Sequence, residues 1–171
     1  DTAALDAYSK AIKASTTLAE PRYRRALVYI RYDKLDDAMS DLQSAIDIQP
    51  NFSEAHYWLG RTYLAQGKPK QARAELILAI DQRGGTYPDA RFYQGLAEEQ
   101  LGQRNDAVAS YQAALDQNTN GEWANERVMA AQFQNIKSNS IEEFRKLDTL
   151  PIIYPPEYKS GNVIYPYEKA K

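Results

Sequence analysis

The stretch SEAHYWLGRTYLAQGKPKQARAELILAIDQRGGT, residues 53–86, decides the fold. In its second half Ala72, Leu76 and Ala79 fall at i, i+4 and i+7, one face of a helix. In its first half Leu59, Gly60 and Tyr63 mark a second helix, and Gly67 sits just past its end, where a residue without a Cβ lets the chain turn. Two helices that cross closely need a small residue at the crossing, because a Gly or Ala there lets the axes approach with no side chain between them. Gly60→Leu or Ala72→Phe is therefore expected to cost about 1–3 kcal/mol by forcing the helices apart.

Outward from this stretch the pattern repeats. Ala4, Ala38, Ala72 and Ala107 are 34, 34 and 35 positions apart, and Ala11, Ala45, Ala79 and Ala114 form a second ladder in phase with the first. Between the ladders lie Tyr8, Leu42, Leu76 and Tyr111. The segments that carry them read ALDAYSKAIKA, DDAMSDLQSAIDI, KQARAELILAIDQ and NDAVASYQAALDQ. Upstream of the last three stand partner helices, PRYRRALVYIRY, SEAHYWLGRTYLAQ and DARFYQGLAEEQ. Asn51 with Glu54, Thr86 with Asp89 and Ser140 with Glu143 place a capping side chain three residues ahead of a carboxylate, which predicts capping boxes at three helix starts.

This pattern resembles the tetratricopeptide repeat family, over roughly Ala3 to Gly121. In the unit that starts at Ser53, the Leu-Gly pair is Leu59 and Gly60, the Tyr is Tyr63, the turn Gly is Gly67 and the second-helix small residues are Ala72 and Ala79; the terminal Pro is missing. The unit from Ala19 carries Ala26, Tyr29, Ala38, Leu42, Ala45 and that Pro, Pro50. The unit from Pro88 carries Gly95, Gly102, Ala107, Tyr111 and Ala114, with Glu98 where the family has Tyr. The resemblance implies an all-α, right-handed superhelix of helical hairpins that serves as a protein-interaction scaffold.

The expected organisation has four parts. Residues 1–17 supply the second helix of an incomplete repeat, whose face of Leu5, Tyr8 and Ile12 lacks a covering first helix and suggests a piece of something longer. Residues 18–121 hold three units, 19–52, 53–87 and 88–121. Residues 122–149 have the helix lengths of a capping pair without its ladder. From residue 150 to 171, Pro151, Pro155, Pro156 and Pro166 exclude a helix interior, leaving an irregular Tyr/Pro-rich tail. Its Tyr154, Tyr158, Tyr165 and Tyr167 either lie over the last helix pair or dock on another chain.

Composition narrows the function. At 43% hydrophobic and 26% charged the chain has the makings of a packed core, and a formal charge of −2 with no cluster of Lys and Arg excludes a nucleic-acid footprint. No apolar run reaches the length of a membrane span, so this segment inserts in no bilayer as a helix. The absence of Cys excludes a thiolate metal site and a cysteine nucleophile, and leaves the compartment undetermined. His56 is the only histidine; it stands where the family often places a ring inside the hairpin, and reads as a core or boundary residue without a second ligand to share a metal. Gly84-Gly85 reads as a turn outside any phosphate-binding pattern. Asp36-Asp37, Glu98-Glu99 and Glu142-Glu143 are sequence neighbours that point in different directions on a helix, so they read as solvated faces and not as an acid and base on one substrate. No catalytic residue, cofactor or metal is expected.

The resemblance also implies which positions line the concave face: Glu20, Tyr23, Leu27 and Ile30; Glu54, Tyr57, Arg61 and Leu64; Asp89, Phe92, Leu96 and Glu99; and, in the last pair, Trp123, Glu126, Ala130 and Phe133. These give an aromatic stripe of Tyr23, Tyr57 and Phe92 beside a carboxylate stripe of Glu20, Glu54 and Asp89, a surface suited to a protein or peptide segment with apolar anchors and Lys or Arg. On this view Tyr57→Ala with Phe92→Ala weakens capture without unfolding the chain. In the alternative the rings pack among themselves and the carboxylates serve the helix N-termini. Where chaperone adaptors of the family clamp a C-terminal carboxylate with Lys, Asn and Arg, this chain has Tyr23, Leu27, Trp58, Asp89 and Tyr93, which argues against that ligand. The competing functions are a structural subunit or oligomer docking through the N-terminal helix and the tail, and an accessory domain of a larger enzyme.

Overall fold

The computed structural model describes residues 2–117; Trp123, the expected capping pair and the tail tyrosines lie outside them. Within these residues the chain forms α1 (Thr2–Ala14), α2 (Ala19–Arg31), α3 (Leu35–Ile48), α4 (Ser53–Ala65), α5 (Pro69–Gln82), α6 (Pro88–Gln100) and α7 (Arg104–Gln117), and no strand. The closest-packed pairs are α2 with α3, α4 with α5 and α6 with α7, each an antiparallel hairpin, and α3 with α4 and α5 with α6 join one hairpin to the next. Of the non-consecutive helices, α4 and α6 make the most contact, so first helices converge on the inner side of the stack.

The alanine ladders form the spine. Ala38, Ala45, Ala72, Ala79, Ala107 and Ala114 have no exposed surface, nor have Leu42, Leu76 and Tyr111 between them. A Cβ placed on Gly60 would come within 2.7 Å of Leu76 Cγ and 3.1 Å of the Ala72 carbonyl oxygen, and one on Gly95 would run into the Tyr111 ring. The first-to-second helix turns share one closure. Asp33, Gly67 and Gly102 take positive φ of 60°, 67° and 74°. Each following N–H then reaches back to Tyr29, Tyr63 or Glu98, satisfying the carbonyls that a helix end leaves open.

The expected capping boxes do not form at α4 and α6. Their N-cap residues are Phe52 and Tyr87, and no side chain caps either helix. Asn51 and Thr86 precede the cap by one residue. Two buried rings take that place: Phe52 lies against Tyr23 with centroids 4.9 Å apart, and Tyr87 against Tyr57 at 5.1 Å. Each ring, delivered by the turn into the next hairpin, wedges against the first helix of the hairpin before it.

Candidate partner-binding face

The first helices α2, α4 and α6 carry the positions assigned to the concave face. Tyr23, Ile30, Tyr57, Arg61, Leu64, Phe92, Leu96 and Glu99 are buried; Leu27, Glu54 and Asp89 are half-buried, and Glu20 is exposed. The aromatic stripe is thus a packing feature. Tyr57, 2% exposed, is enclosed by Trp58, Tyr87 and Tyr93, while Phe92, with no exposed surface, packs on Tyr93 and Tyr111. Tyr87, arriving from the turn, and Tyr93 cover these rings.

The carboxylates are partnered as well. Glu20 accepts from Arg24 Nε at 2.6 Å, and Glu54 from Arg83 at 2.9 Å, with the Arg83 guanidinium 4.3 Å from the Tyr87 ring centre. Burial alone would raise the Glu54 pKa, but its own backbone N–H, Ser53 and Arg83 outweigh this and lower it. Glu98 and Glu99 are not on a solvated face. Glu98, 1% exposed, accepts from Arg73 Nε at 2.9 Å, Gln94 Nε2 at 2.8 Å and Ser110 Oγ at 2.6 Å, and Glu99 accepts from the Tyr111 hydroxyl at 2.7 Å. The replacement of the family Tyr at position 98 is thereby filled by a hydrogen-bonded carboxylate.

One side chain that these positions left out packs where the two core clusters meet. Trp58 is half-buried on α4 and packs against both core clusters, the one built on α2 and α3 and the one built on α5, α6 and α7. The Arg61 guanidinium lies 4.1 Å from its ring centre, with Tyr93 on a second side at 4.5 Å and Tyr57 at 5.3 Å. Burial raises the Tyr23 phenol above its ordinary pKa, against the opposing charge of Arg24. Leu27, also half-buried, packs on the same α2–α3 cluster. The indole is thus held by Arg61 and by both core clusters. Position 58 was legible only as a place where the family's clamp has a polar residue. Among the described residues no group of three His, Asp or Glu side chains can hold a metal, and no helix is long and apolar enough to cross a membrane.

Two family models, both described as tetratricopeptide repeat, match residues 30–98 and 89–120. The small glutamine-rich tetratricopeptide repeat-containing protein 2 of Saccharomyces cerevisiae is 32% identical over 87 residues, 51% of this chain and 25% of that protein. Serine/threonine-protein phosphatase T of Trypanosoma brucei brucei is 35% identical over 80 residues, 46% of this chain and 16% of that protein. The chain thus spans a quarter or less of these two relatives' length. A crystal structure of MamA superposes with a TM-score of 0.72 at 22% identity, covering 83% of both chains. The first such domain of Spaghetti (RPAP3), bound to the HSP90 peptide SRMEEVD, superposes with 0.67 at 20% identity, covering 70% of this chain and 94% of that one. At these identities the structures speak for the fold alone. The repeated hairpins, the buried alanine spine and both family models place the chain in the tetratricopeptide repeat family.

Proposed function

We propose that the chain holds a segment of a partner protein on the face formed by α2, α4 and α6, with an apolar anchor of that segment seated on Trp58 and Leu27. The observation that carries this reading is Trp58 itself, half-buried, with the Arg61 guanidinium 4.1 Å from its ring centre, at the junction of the two core clusters. Rigid aromatic residues in partly desolvated settings dominate binding energy, because they add large contact area at little entropy cost. The protein-interaction role follows from the repeat family. Its residues carry binding and no chemistry of their own, and a larger enzyme can hold such a module as an accessory domain, the arrangement suggested by the phosphatase relative.

Electrostatics refines the partner. The Lys and Arg expected to meet Glu20 and Glu54 find those carboxylates already paired with Arg24 and Arg83, so the anchor is apolar first. A C-terminal acidic peptide of the kind held by the RPAP3 domain is a poor fit, since Tyr23, Leu27, Trp58, Asp89 and Tyr93 offer no cation at the clamp positions.

Affinity capture from native lysate tests the reading with two variants. Trp58→Ala is expected to lose the captured partner, whereas Leu78→Ala, an exposed change on second helix α5, retains it. Equal capture by both removes the face from consideration. A second reading, a structural subunit or oligomer, has one observation in its favour. Ala4, Tyr8 and Ala11 of α1 are half-buried although their equivalents in α3, α5 and α7 are wholly buried, so α1 presents an apolar face to a neighbour. A discrete oligomer by light scattering, abolished by Tyr8→Lys, supports that reading; a monomer at all concentrations removes self-association.

A further inference from the structure

Both ring nitrogens of His56 face acceptors. Nε2 lies 3.0 Å from the carbonyl oxygen of Pro50 in the α3–α4 turn, and Nδ1 lies 2.7 Å from Oε2 of Glu75 on α5. A carbonyl oxygen can only accept, so Nε2 carries a hydrogen; an ionised carboxylate can only accept, so Nδ1 needs one too. The pair holds this additional proton whether it is written on the ring or on Glu75. A neutral ring beside ionised Glu75 has one N–H for two acceptors and turns a lone pair toward whichever it leaves.

The surroundings isolate this proton. The ring is buried, and Glu75 is the charged group acting on it. The turn offers the Pro50 carbonyl, which also accepts from Gln82 Nε2 of α5 at 2.8 Å, and neither of these titrates. Desolvation pushes the imidazole down, but the hydrogen bonds to Glu75 and Pro50 and the Glu75 charge outweigh it, and the pKa is raised above 6.5.

We propose that His56 is a proton-operated latch, which in its protonated state bridges the turn between the first two full hairpins to α5 and on losing its proton gives up one of those two links, leaving Gln82 as the remaining tie between that turn and α5. The sign follows from linkage. A folded-state pKa above the unfolded one means that the folded chain binds more protons, so the latch's contribution is complete below pH 6.5 and is lost as pH rises through the folded value. The fold therefore loosens toward alkaline pH at this turn.

Because His56 is the only histidine, its imidazole signals in an NMR titration of the folded chain are unambiguous. The expected midpoint lies above 6.5 and drops in Glu75→Gln; each unit of elevation is a tenfold change in the folding constant between the two limits. Urea midpoints are expected to be higher at pH 6 than at pH 8 in the native chain, with the difference reduced in Glu75→Gln and His56→Gln. A native-chain midpoint at or below 6.5 overturns the proposal, whether or not the variants fold. A pH 6 to 8 difference kept in full by Glu75→Gln overturns it as well.

Discussion

Gly60 and Gly95 sit where first and second helices cross, and each lacks the one atom for which there is no room. A methyl group at Gly60 meets the Leu76 side chain and the Ala72 backbone, and backbone cannot step aside without moving α5. Gly60→Ala is expected to destabilise by about 1–3 kcal/mol, read from urea unfolding. An unchanged midpoint would contradict the crossing geometry. The buried rings invert an expectation formed from their spacing. Phe92→Ala empties a site with no exposed surface between Tyr93 and Tyr111, so it should cost about 3–5 kcal/mol and not merely weaken capture. Stability within about 1 kcal/mol of the native chain would show that the ring is not core.

Each hairpin replaces one apolar contact with a polar couple, and the couple recurs at one place. Three residues after Ala38, Ala72 and Ala107, the first-ladder alanine of each hairpin, stand Asp41, Glu75 and Ser110. Their partners on the facing helix are Arg25, held by two bonds of 2.6 and 2.8 Å, His56 at 2.7 Å and Glu98 at 2.6 Å. Such couples add less net stability than apolar packing, but losing one member leaves the other desolvated and unmatched. Glu98→Ala removes the acceptor shared by Arg73, Gln94 and Ser110, and thereby a link between α5, α6 and α7. A loss of about 1–3 kcal/mol is expected in the unfolding midpoint, kept at the lower end by the partial exposure of Arg73. Glu98→Gln, which retains one acceptor oxygen, should lose less.

At the scale of the molecule, the described hairpins pack chiefly on their neighbours, and the two core clusters meet at Trp58 and Tyr63. Ties between hairpins therefore govern the response to pH. Glu54, joined to Arg83 of the next turn, has a folded pKa below its ordinary 4.5, so the folded state binds fewer protons there. That contribution is present above pH 4.5 and disappears as pH falls through the folded value. Unfolding midpoints recorded between pH 6 and pH 3 are expected to fall less steeply in Glu54→Gln than in the native chain. Identical slopes would remove Glu54 from the acid response.

The helix pairs, their order and the spine were legible in the sequence because their signals are local and repeated, small residues at the crossings and Gly67 and Gly102 after two of the first helices; that Asp33 makes the same positive-φ turn after α2 came from the structure. Only the tertiary structure decided which rings remain at the surface. Tyr57 and Phe92 share a helical face with half-buried Glu54 and Asp89, and spacing alone does not distinguish a ring facing a groove from one covered by its neighbour. That depends on the rotation of each helix about its axis and on what the next turn delivers, here Tyr87 onto Tyr57. The same holds for Arg25 with Asp41, 16 positions apart, and Arg73 with Glu98, 25 apart, since such partners meet only once the hairpins have closed and stacked.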